Sequence, residues 1–414
     1  MVVVKNILLL VPIYPADDIK NQSAYITHYF AKEWVGAGYN VKVCQFPSNF
    51  PQFVYGISKL VGPLVDSKIL DHVRKYPLKE KFYELDGISV SRYPMKKVFP
   101  HGKYSRKEIR KAVEKTITWC NQEGFNPDVI IGHWVNPALD IMCELKKKWN
   151  KPICLVMHDD GFNFESSHKK TWKRQLDSVD AIGYRSKAIK ESFEKKWVHK
   201  DSWFYCYSGV PMNFLANDIK KNYETVQSFT FIGSMIQRKY PIANLEALGN
   251  SSIKNWILHY VGAGKELERV HRLYDKQYSS LGKLIDHGWL SREEVRGVLE
   301  ETDVFAMISR NETFGLVYLE AMSNGCITIA SRNGGFDGII KDGINGFLCE
   351  AGNSKELKEI FEKIYSLTKE ERKRIADEAI ATARKMTDDQ VAMDYIHDVE
   401  RLIKETPVAN EVRV

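Results

Sequence analysis

Two carboxylates eight residues apart, Glu312 and Glu320, bracket the stretch Thr313-Phe314-Gly315-Leu316-Val317-Tyr318-Leu319. A carboxylate accepts two hydrogen bonds at once, so each suits the hydroxyls of a sugar or a ribose. The stretch follows an apolar run, Val304-Phe-Ala-Met-Ile-Ser309, which reads as a buried strand, and leads into a helical pattern over Leu316–Ser323. A strand that feeds a loop and then a helix offers unpaired N–H groups and the positive end of the helix dipole, which suit a phosphate. Gly315 permits close approach of the backbone. The spacing predicts both carboxylates on nearly one helical face, two turns apart and able to meet one elongated ligand. In isolation such a pair is more simply a first-turn acid favouring the dipole and a second acid facing solvent. The preceding strand, Gly315 and Asn324-Gly325 favour the ligand.

Elements able to position such a site recur along the chain. Its 414 residues suggest two or three domains, and 44% hydrophobic with 27% charged residues is ordinary for a globular protein. Apolar runs at Ile7–Val11, Val41–Phe46, Val129–Ile131, Ile153–Met157, Ala181–Tyr184 and Trp203–Cys206 read as strands. Amphipathic stretches such as Ala24–Val35 and Arg106–Asn121 lie between them, which predicts parallel βαβ units. The pattern breaks near 210–227 and resumes with Thr230–Gly233, Trp256–Val261, Val304–Ile308 and Ile327–Ala330. The expected architecture is α/β: two Rossmann-like doubly wound domains, residues 1–215 and 228–387, facing each other across a cleft. A last helix over about 388–404 is expected to pack back on the first domain.

Several classes of function are disfavoured. Seven widely spaced cysteines without a C-x-x-C fit buried, reduced thiols better than disulfides or a zinc site. No run reaches the ~18 apolar residues of a membrane span. The start, MVVVKNILLLVPIYPA, reads as a first strand rather than a signal peptide, since its apolar run is short, ends in prolines and lacks an A-x-A site. A cytoplasmic protein is expected. No D-x-D occurs, and Asp159-Asp160 reads as a turn cap rather than a metal site, so neither a metal nor a cofactor is expected. Residues 1–226 carry a formal charge of +11 and residues 227–414 carry −4. The basic half, with Lys146-Lys147-Lys148, suits an anionic partner such as a membrane surface, or is merely a solvated face. No nucleic-acid motif accompanies it. The apolar stretch Phe46–Val65 reads as packing into its own domain, with an acceptor or membrane contact as the alternative.

With these elements in place, the stretch SRNETFGLVYLEAMSNGCITIASRNGG and the later DGINGFL resemble the donor-site signature of retaining glycosyltransferases of family 4, which have the GT-B fold. The similarity runs along most of the chain: the opening ILLLVPIYP, Pro127-Asp-Val-Ile-Ile-Gly-His133, Val156-Met-His158-Asp-Asp, Ser208-Gly-Val210, Phe231-Ile-Gly233-Ser234-Met-Ile-Gln-Arg238-Lys239 and Val261-Gly-Ala-Gly264. Ordered motifs are more specific than any one, and Gly262-Ala-Gly264 alone would be a weak signal.

The resemblance implies transfer of a sugar from a nucleotide diphosphate sugar, a UDP-sugar ahead of GDP-mannose, to a carbohydrate or lipid-linked acceptor. Glu320 would bind the ribose, and Glu312 would contact the sugar near the reacting carbon. The backbone of Phe314, Gly315 and Leu316 would hold the diphosphate, and Gly233, Ser234 and Thr313 would belong to the same donor-binding site. Lys239, helped by Arg238, would neutralise charge on the leaving group. His158 would face the donor sugar. The loop Pro15–Ser23 would close over the phosphates, and His133, Gln22 and Ser23 are assigned to the acceptor side, with a satisfied structural histidine as the alternative for His133. Three departures stand out. Ser234 replaces the family's usual arginine, Tyr240 replaces a glycine, and the usual acid of the later loop falls at Gly338, with Asp337 just before it. The competing functions are a nucleotide-sugar epimerase of the same fold and a non-catalytic nucleotide-sugar-binding protein.

Overall fold

The computed structural model describes residues 4–19, 26–52, 54–55, 76–98, 102–158, 171–197, 199–215 and 221–405. The chain divides into two compact units. The first holds residues 1–185, 189–206 and 392–414, and the second holds 186–188 and 207–391.

The first unit is built on an eight-stranded sheet. Its strands are β1 (Asn6–Val11), β2 (Asn40–Gln45), β4 (Lys81–Leu85), β5 (Ile88–Arg92), β7 (Val129–His133), β8 (Ile153–Met157), β9 (Ala181–Tyr184) and β10 (Trp203–Tyr205). Two short strands, β3 (Ser48–Asn49) and β6 (Met95–Lys96), pair separately. The order in the large sheet is β10-β9-β8-β7-β1-β2-β5-β4, and every pair is parallel except β4 with β5. β1 is covered on both faces: Ile7 through Val11 are at most 1% exposed, as expected of a central parallel strand. The helix Arg106–Gln122 begins where Ser105 accepts a hydrogen bond from the Glu108 amide.

The second unit has six parallel strands: β11 (Ser228–Ile232), β12 (Trp256–Val261), β13 (Gly282–Asp286), β14 (Val304–Met307), β15 (Ile327–Ser331) and β16 (Phe347–Cys349). Their order is β13-β12-β11-β14-β15-β16. The order reverses between β11 and β14, and in the first unit between β1 and β7. Loops leaving the carboxyl ends of strands at such a point flank a natural ligand crevice.

The boundaries differ from those expected at 215 and 387. The chain changes unit between Cys206 and Tyr207, because Val210 and Phe214 are already buried in the second core. It changes back at Ala392, within the helix Asp388–Glu405. There the indole of Trp34 donates to the carbonyl of Ala392 at 2.8 Å, and Tyr395 packs edge-on against Phe30 and Trp34. No helix among the described residues is long and apolar enough to cross a membrane. All seven cysteines are buried and unpaired.

Candidate active site

In the second unit, the loops after β11 and β14 meet at the point where strand order reverses. Gly233 leaves β11 with φ +150°, and a Cβ there would lie 3.1 Å from the Lys239 ammonium. A glycine therefore gives this lysine its place. The Gly262–Gly264 loop after β12 backs the arrangement, since a Cβ at Gly262 would lie 2.1 Å from the Gly233 carbonyl oxygen. Lys239 reaches Glu312 at 3.4 Å and the Met307 sulfur at 3.7 Å. Arg238 stands 3.7 Å from the same Glu312 oxygen. The Arg310 amide donates to the Arg238 carbonyl at 2.8 Å, which ties the two loops together. Two cations thus face one carboxylate, and the local charge is net positive.

Gly315 opens the helix Leu316–Ser323 at φ +85°, and a Cβ there would come within 2.3 Å of the Tyr318 ring. Both conformation and space require glycine. Tyr318 is pinned by donation to the Met307 carbonyl at 2.6 Å, so the first turn of the helix is anchored to the end of β14. The first amides of that turn have no acceptor within the helix and carry its positive pole. The Gly334–Gly335 loop lies against the Glu312–Phe314 backbone, where a Cβ at Gly335 would be 2.6 Å from the Glu312 carbonyl oxygen. Phe314 is buried against Phe336 and Tyr207. Asp337 accepts from the Asn333 amide at 2.6 Å and closes a turn of its own loop.

The two carboxylates do not share a helical face. Glu312 precedes the helix, and the left-handed residue Gly315 intervenes before its first turn. Glu320 lies on the buried side of the helix, where Arg292 donates Nε–H to Oε1 at 2.7 Å. Burial pushes the Glu320 carboxyl above the usual carboxylate range, against the pull of that guanidinium. Arg292 in turn lies 4.9 Å above the Phe214 ring. Oε1 is therefore committed, and Oε2 makes no hydrogen bond among the described residues. Arg292 had no motif to mark it. Its signal is its place one residue after Ser291, the cap of the helix Arg292–Glu300.

In the first unit, β7 ends at His133 and β8 stops just short of His158. The His133 Nδ1 and His158 Nε2 are 2.9 Å apart, and the Tyr395 hydroxyl is 3.2 Å from His133 Nε2. Trp134 stacks on the His158 ring at 3.8 Å. Burial holds both imidazoles well below the usual histidine pKa, and Arg185 adds to the effect. His133 is fully buried and both ring nitrogens are engaged. That leaves it no group to offer an acceptor, contrary to its acceptor-side assignment.

The loop after β1 is tied down over its described part. Arg92, 1% exposed, grips both Asp18 oxygens at 2.8 and 2.6 Å, Lys81 pairs with Asp17, and the Tyr83 hydroxyl donates to the Pro15 carbonyl at 2.8 Å. Gln22, Ser23 and Asp159-Asp160 lie outside the described residues. So do residues 56–65 of the apolar stretch, while Phe46, Phe50 and Tyr55 before them are buried. Two lysines of the triplet are engaged in ion pairs. Lys146 binds both Asp180 oxygens at 2.7 Å and Lys147 binds Glu144 at 2.6 Å.

Residues 216–382 match the family model described as glycosyl transferases group 1. The chain thus carries a glycosyltransferase group 1 domain, and this domain includes Lys239, Glu312 and Glu320. An uncharacterized glycosyltransferase of Methanocaldococcus jannaschii is 27% identical over 318 residues, covering 76% of this chain and 85% of that protein. A glycosyltransferase structure from Rickettsia africae aligns with a TM-score of 0.71 at 15% identity, covering 97% of this chain and 100% of that one. An Anabaena structure in complex with UDP and glucose aligns with a TM-score of 0.65 at 16% identity, covering 96% and 100%. The architecture is the GT-B fold of these glycosyltransferases.

Proposed function

We propose that the chain is a retaining glycosyltransferase that moves a sugar from a nucleotide diphosphate sugar, a UDP-sugar ahead of GDP-mannose, to a carbohydrate or lipid-linked acceptor. The observation that carries this reading is the pair of cations, Lys239 and Arg238, held against Glu312 beside the Gly315-opened helix. In the reaction, the bond from the sugar's anomeric carbon to the diphosphate breaks and the electron pair stays on the phosphate oxygen. The acceptor oxygen bonds to the anomeric carbon, and its proton leaves toward the departing diphosphate. Charge grows on that diphosphate, and preorganised cations and amides stabilise it most where it develops. Lys239 and Arg238 supply the cations, and the first-turn amides after Gly315 supply the dipole. Protein groups thus cover the role a metal ion would otherwise take. The Glu320 Oε2 is assigned to the ribose and Glu312 to the sugar. His158 is the first unit's assignment to the sugar. An encounter with an anionic membrane rests on the +11 charge of residues 1–226, and its contribution from Lys146 and Lys147 is reduced by their ion pairs.

A thermal-shift series with UDP, UDP-glucose and GDP-mannose, each with and without excess EDTA, tests the reading. A ligand at 100 times its Kd stabilises by about 2.7 kcal/mol. Stabilisation by UDP-glucose that survives EDTA is expected. No stabilisation by any of the three sinks the proposal, and stabilisation abolished by EDTA and rescued by magnesium overturns its metal-independent part. Incubation with donor alone separates transfer from epimerisation, because an epimerase needs no acceptor.

A further inference from the structure

Two buried polar groups of the first unit lack the partners that burial calls for, and both flank the segment Gly102–Tyr104. Lys97 follows β6, whose pairing with β3 carries the chain past the carboxyl ends of β5 and β2. Its amide donates to the Asn49 carbonyl at 2.8 Å. The residue is 9% exposed, and its ammonium lies 5.2 Å from the centre of the Tyr104 ring. Among the described residues no carboxylate pairs with it. Lys42 and Arg92, buried as deeply in the same unit, do have one: Lys42 binds Glu123 at 2.8 Å, and Arg92 binds Asp18. A ring face stabilises a cation only in part. Burial without a counter-charge is costly for an ammonium, and it pushes the Lys97 pKa down to about 8. Asn136 stands three residues past the end of β7. Its Nδ2 lies 3.4 Å from the Gly102 carbonyl oxygen, and its Oδ1 is buried with no hydrogen-bond donor. An unmade buried acceptor also costs. The Ser48 and Tyr104 hydroxyls, 2.6 Å apart, complete the surroundings. These groups all stand at the carboxyl edge of the large sheet, the edge at which open α/β sheets take their ligands.

We propose that the first unit carries a binding site for an anionic sugar, in which the Lys97 ammonium meets the phosphate or carboxylate and the Asn136 Oδ1 accepts a hydroxyl of the same molecule. Every residue of the site belongs to that unit. The two groups ask for opposite things, Lys97 for a charged acceptor and Asn136 for a donor. A sugar that carries an anionic group supplies both. Inorganic phosphate answers the lysine, and a neutral sugar answers the amide alone. A lysine is a compact point charge with three donors, which suits a phosphate or a carboxylate. No bond is made or broken at this site. The inference rests on the glycosyltransfer reading only for the ligand's role, which is that of the acceptor.

The test is a pH titration by NMR of the full chain labelled with 13C-lysine, with Lys97→Met to identify the Lys97 signal by its loss. Without ligand, Lys97 is expected to titrate near pH 8, well below an ordinary lysine. Glucose 1-phosphate and glucuronate are the anionic probes, glucose is the neutral one, and inorganic phosphate is the bare anion. Saturation with an anionic sugar is expected to lift the midpoint to about 9 or above, because a bound negative charge favours the ammonium. The larger rise tells phosphate from carboxylate. Since the signal is that of Lys97 itself, a probe bound beside Lys239 does not register. Asn136→Ala is expected to weaken glucose 1-phosphate by about threefold to tenfold, the scale of one lost hydrogen bond. A Lys97 that titrates as an ordinary lysine without ligand, or that responds to neither anionic sugar, overturns the proposal. An equal response to glucose overturns the charge contact, and equal affinity for inorganic phosphate overturns the hydroxyl contact. Lys97→Met is expected to leave Tm unchanged or raise it, because an unpaired buried ammonium costs the fold. A clear fall in Tm would make the lysine structural. If Asn136→Ala fails to fold, the wild-type titrations still decide the site. A Lys97 that responds in a protein turning over no sugar nucleotide defeats the glycosyltransfer reading alone. Sugar transfer to a neutral acceptor with Lys97 silent to every probe defeats only the site.

Discussion

The two units place polar groups at their points of reversed strand order in opposite ways. In the first, Tyr395, His133 and His158 are buried and linked by two hydrogen bonds, and burial disfavours charge on both imidazoles. In the second, Lys239, Arg238 and Glu312 are charged, and Arg238 stays 43% exposed. Burial decides the difference. A buried group keeps its place by becoming neutral and hydrogen-bonded, whereas Lys239 and Glu312, only 14% and 15% exposed, balance each other beside the more exposed Arg238 and can offer charge to a charged ligand. The first arrangement specifies orientation and the second specifies field.

The largest expected effect comes from breaking the second arrangement at its backbone. Gly315→Ala forces a left-handed φ of +85° on a residue with a Cβ and drives that carbon toward the Tyr318 ring. The loss of stability should be about 2–4 kcal/mol, combining backbone strain and overpacking. Chemical denaturation measures it, and a cost below 1 kcal/mol would show that the helix start is softer than described.

Glu320→Ala removes a carboxylate and leaves Arg292 unbalanced. Binding of UDP followed by titration calorimetry should weaken by about 1.5–3 kcal/mol. Unchanged affinity in a folded variant would remove Glu320 from the ribose site and leave it a structural partner of Arg292.

Acid sharpens the contrast, because it should weaken the neutral chain first. The folded pKa values of His133 and His158 lie well below the ordinary 6.5. The unfolded chain therefore binds more protons below about pH 6.5, and stability present above that pH is lost as pH falls toward the folded values. Each histidine contributes at most about 1.4 kcal/mol per pH unit. Melting curves for wild type and His133→Gln between pH 7.5 and about 5 should converge as pH falls. Parallel curves would show that His133 is not neutral in the fold.

Tyr395→Phe should give the smallest change, about 1 kcal/mol for one hydrogen bond lost in a preserved cavity. A much larger loss would mean that the phenol oxygen supports the packing of the last helix as well as the histidine chain.

The parallel architecture was legible from the alternation of apolar runs and amphipathic stretches, and most of the expected strands fall within a residue or two of the observed ones. β4 and β5 were missed although a signal was present. Asp86-Gly87, both at positive φ, make the two-residue turn of an antiparallel hairpin. β4 alternates half-buried and exposed residues at the sheet edge, so its hydrophobic signature is weak. In the site, Gly315 could be singled out because a strand, a glycine and a helix start are properties of a local stretch, and Lys239 through the family resemblance of the stretch Phe231–Lys239. Arg292 and Tyr395 could not. Each reaches its partner from a distant segment, 28 residues away for Glu320 and 262 for His133. Local periodicity holds no information about such a meeting. The helical-face reading of Glu312 and Glu320 failed because it ran the helix through Gly315, the residue that stops it from starting earlier.

The seven buried thiols make the protein its own opening sensor. Cys44, Cys120, Cys143, Cys154 and Cys206 belong to the first unit and Cys326 and Cys349 to the second, and burial raises the pKa of each thiol above its ordinary value. A thiol reagent meets a reactive thiolate only when the surrounding structure parts. Modification rates followed site by site would thus report the opening of each unit separately, without any label being introduced.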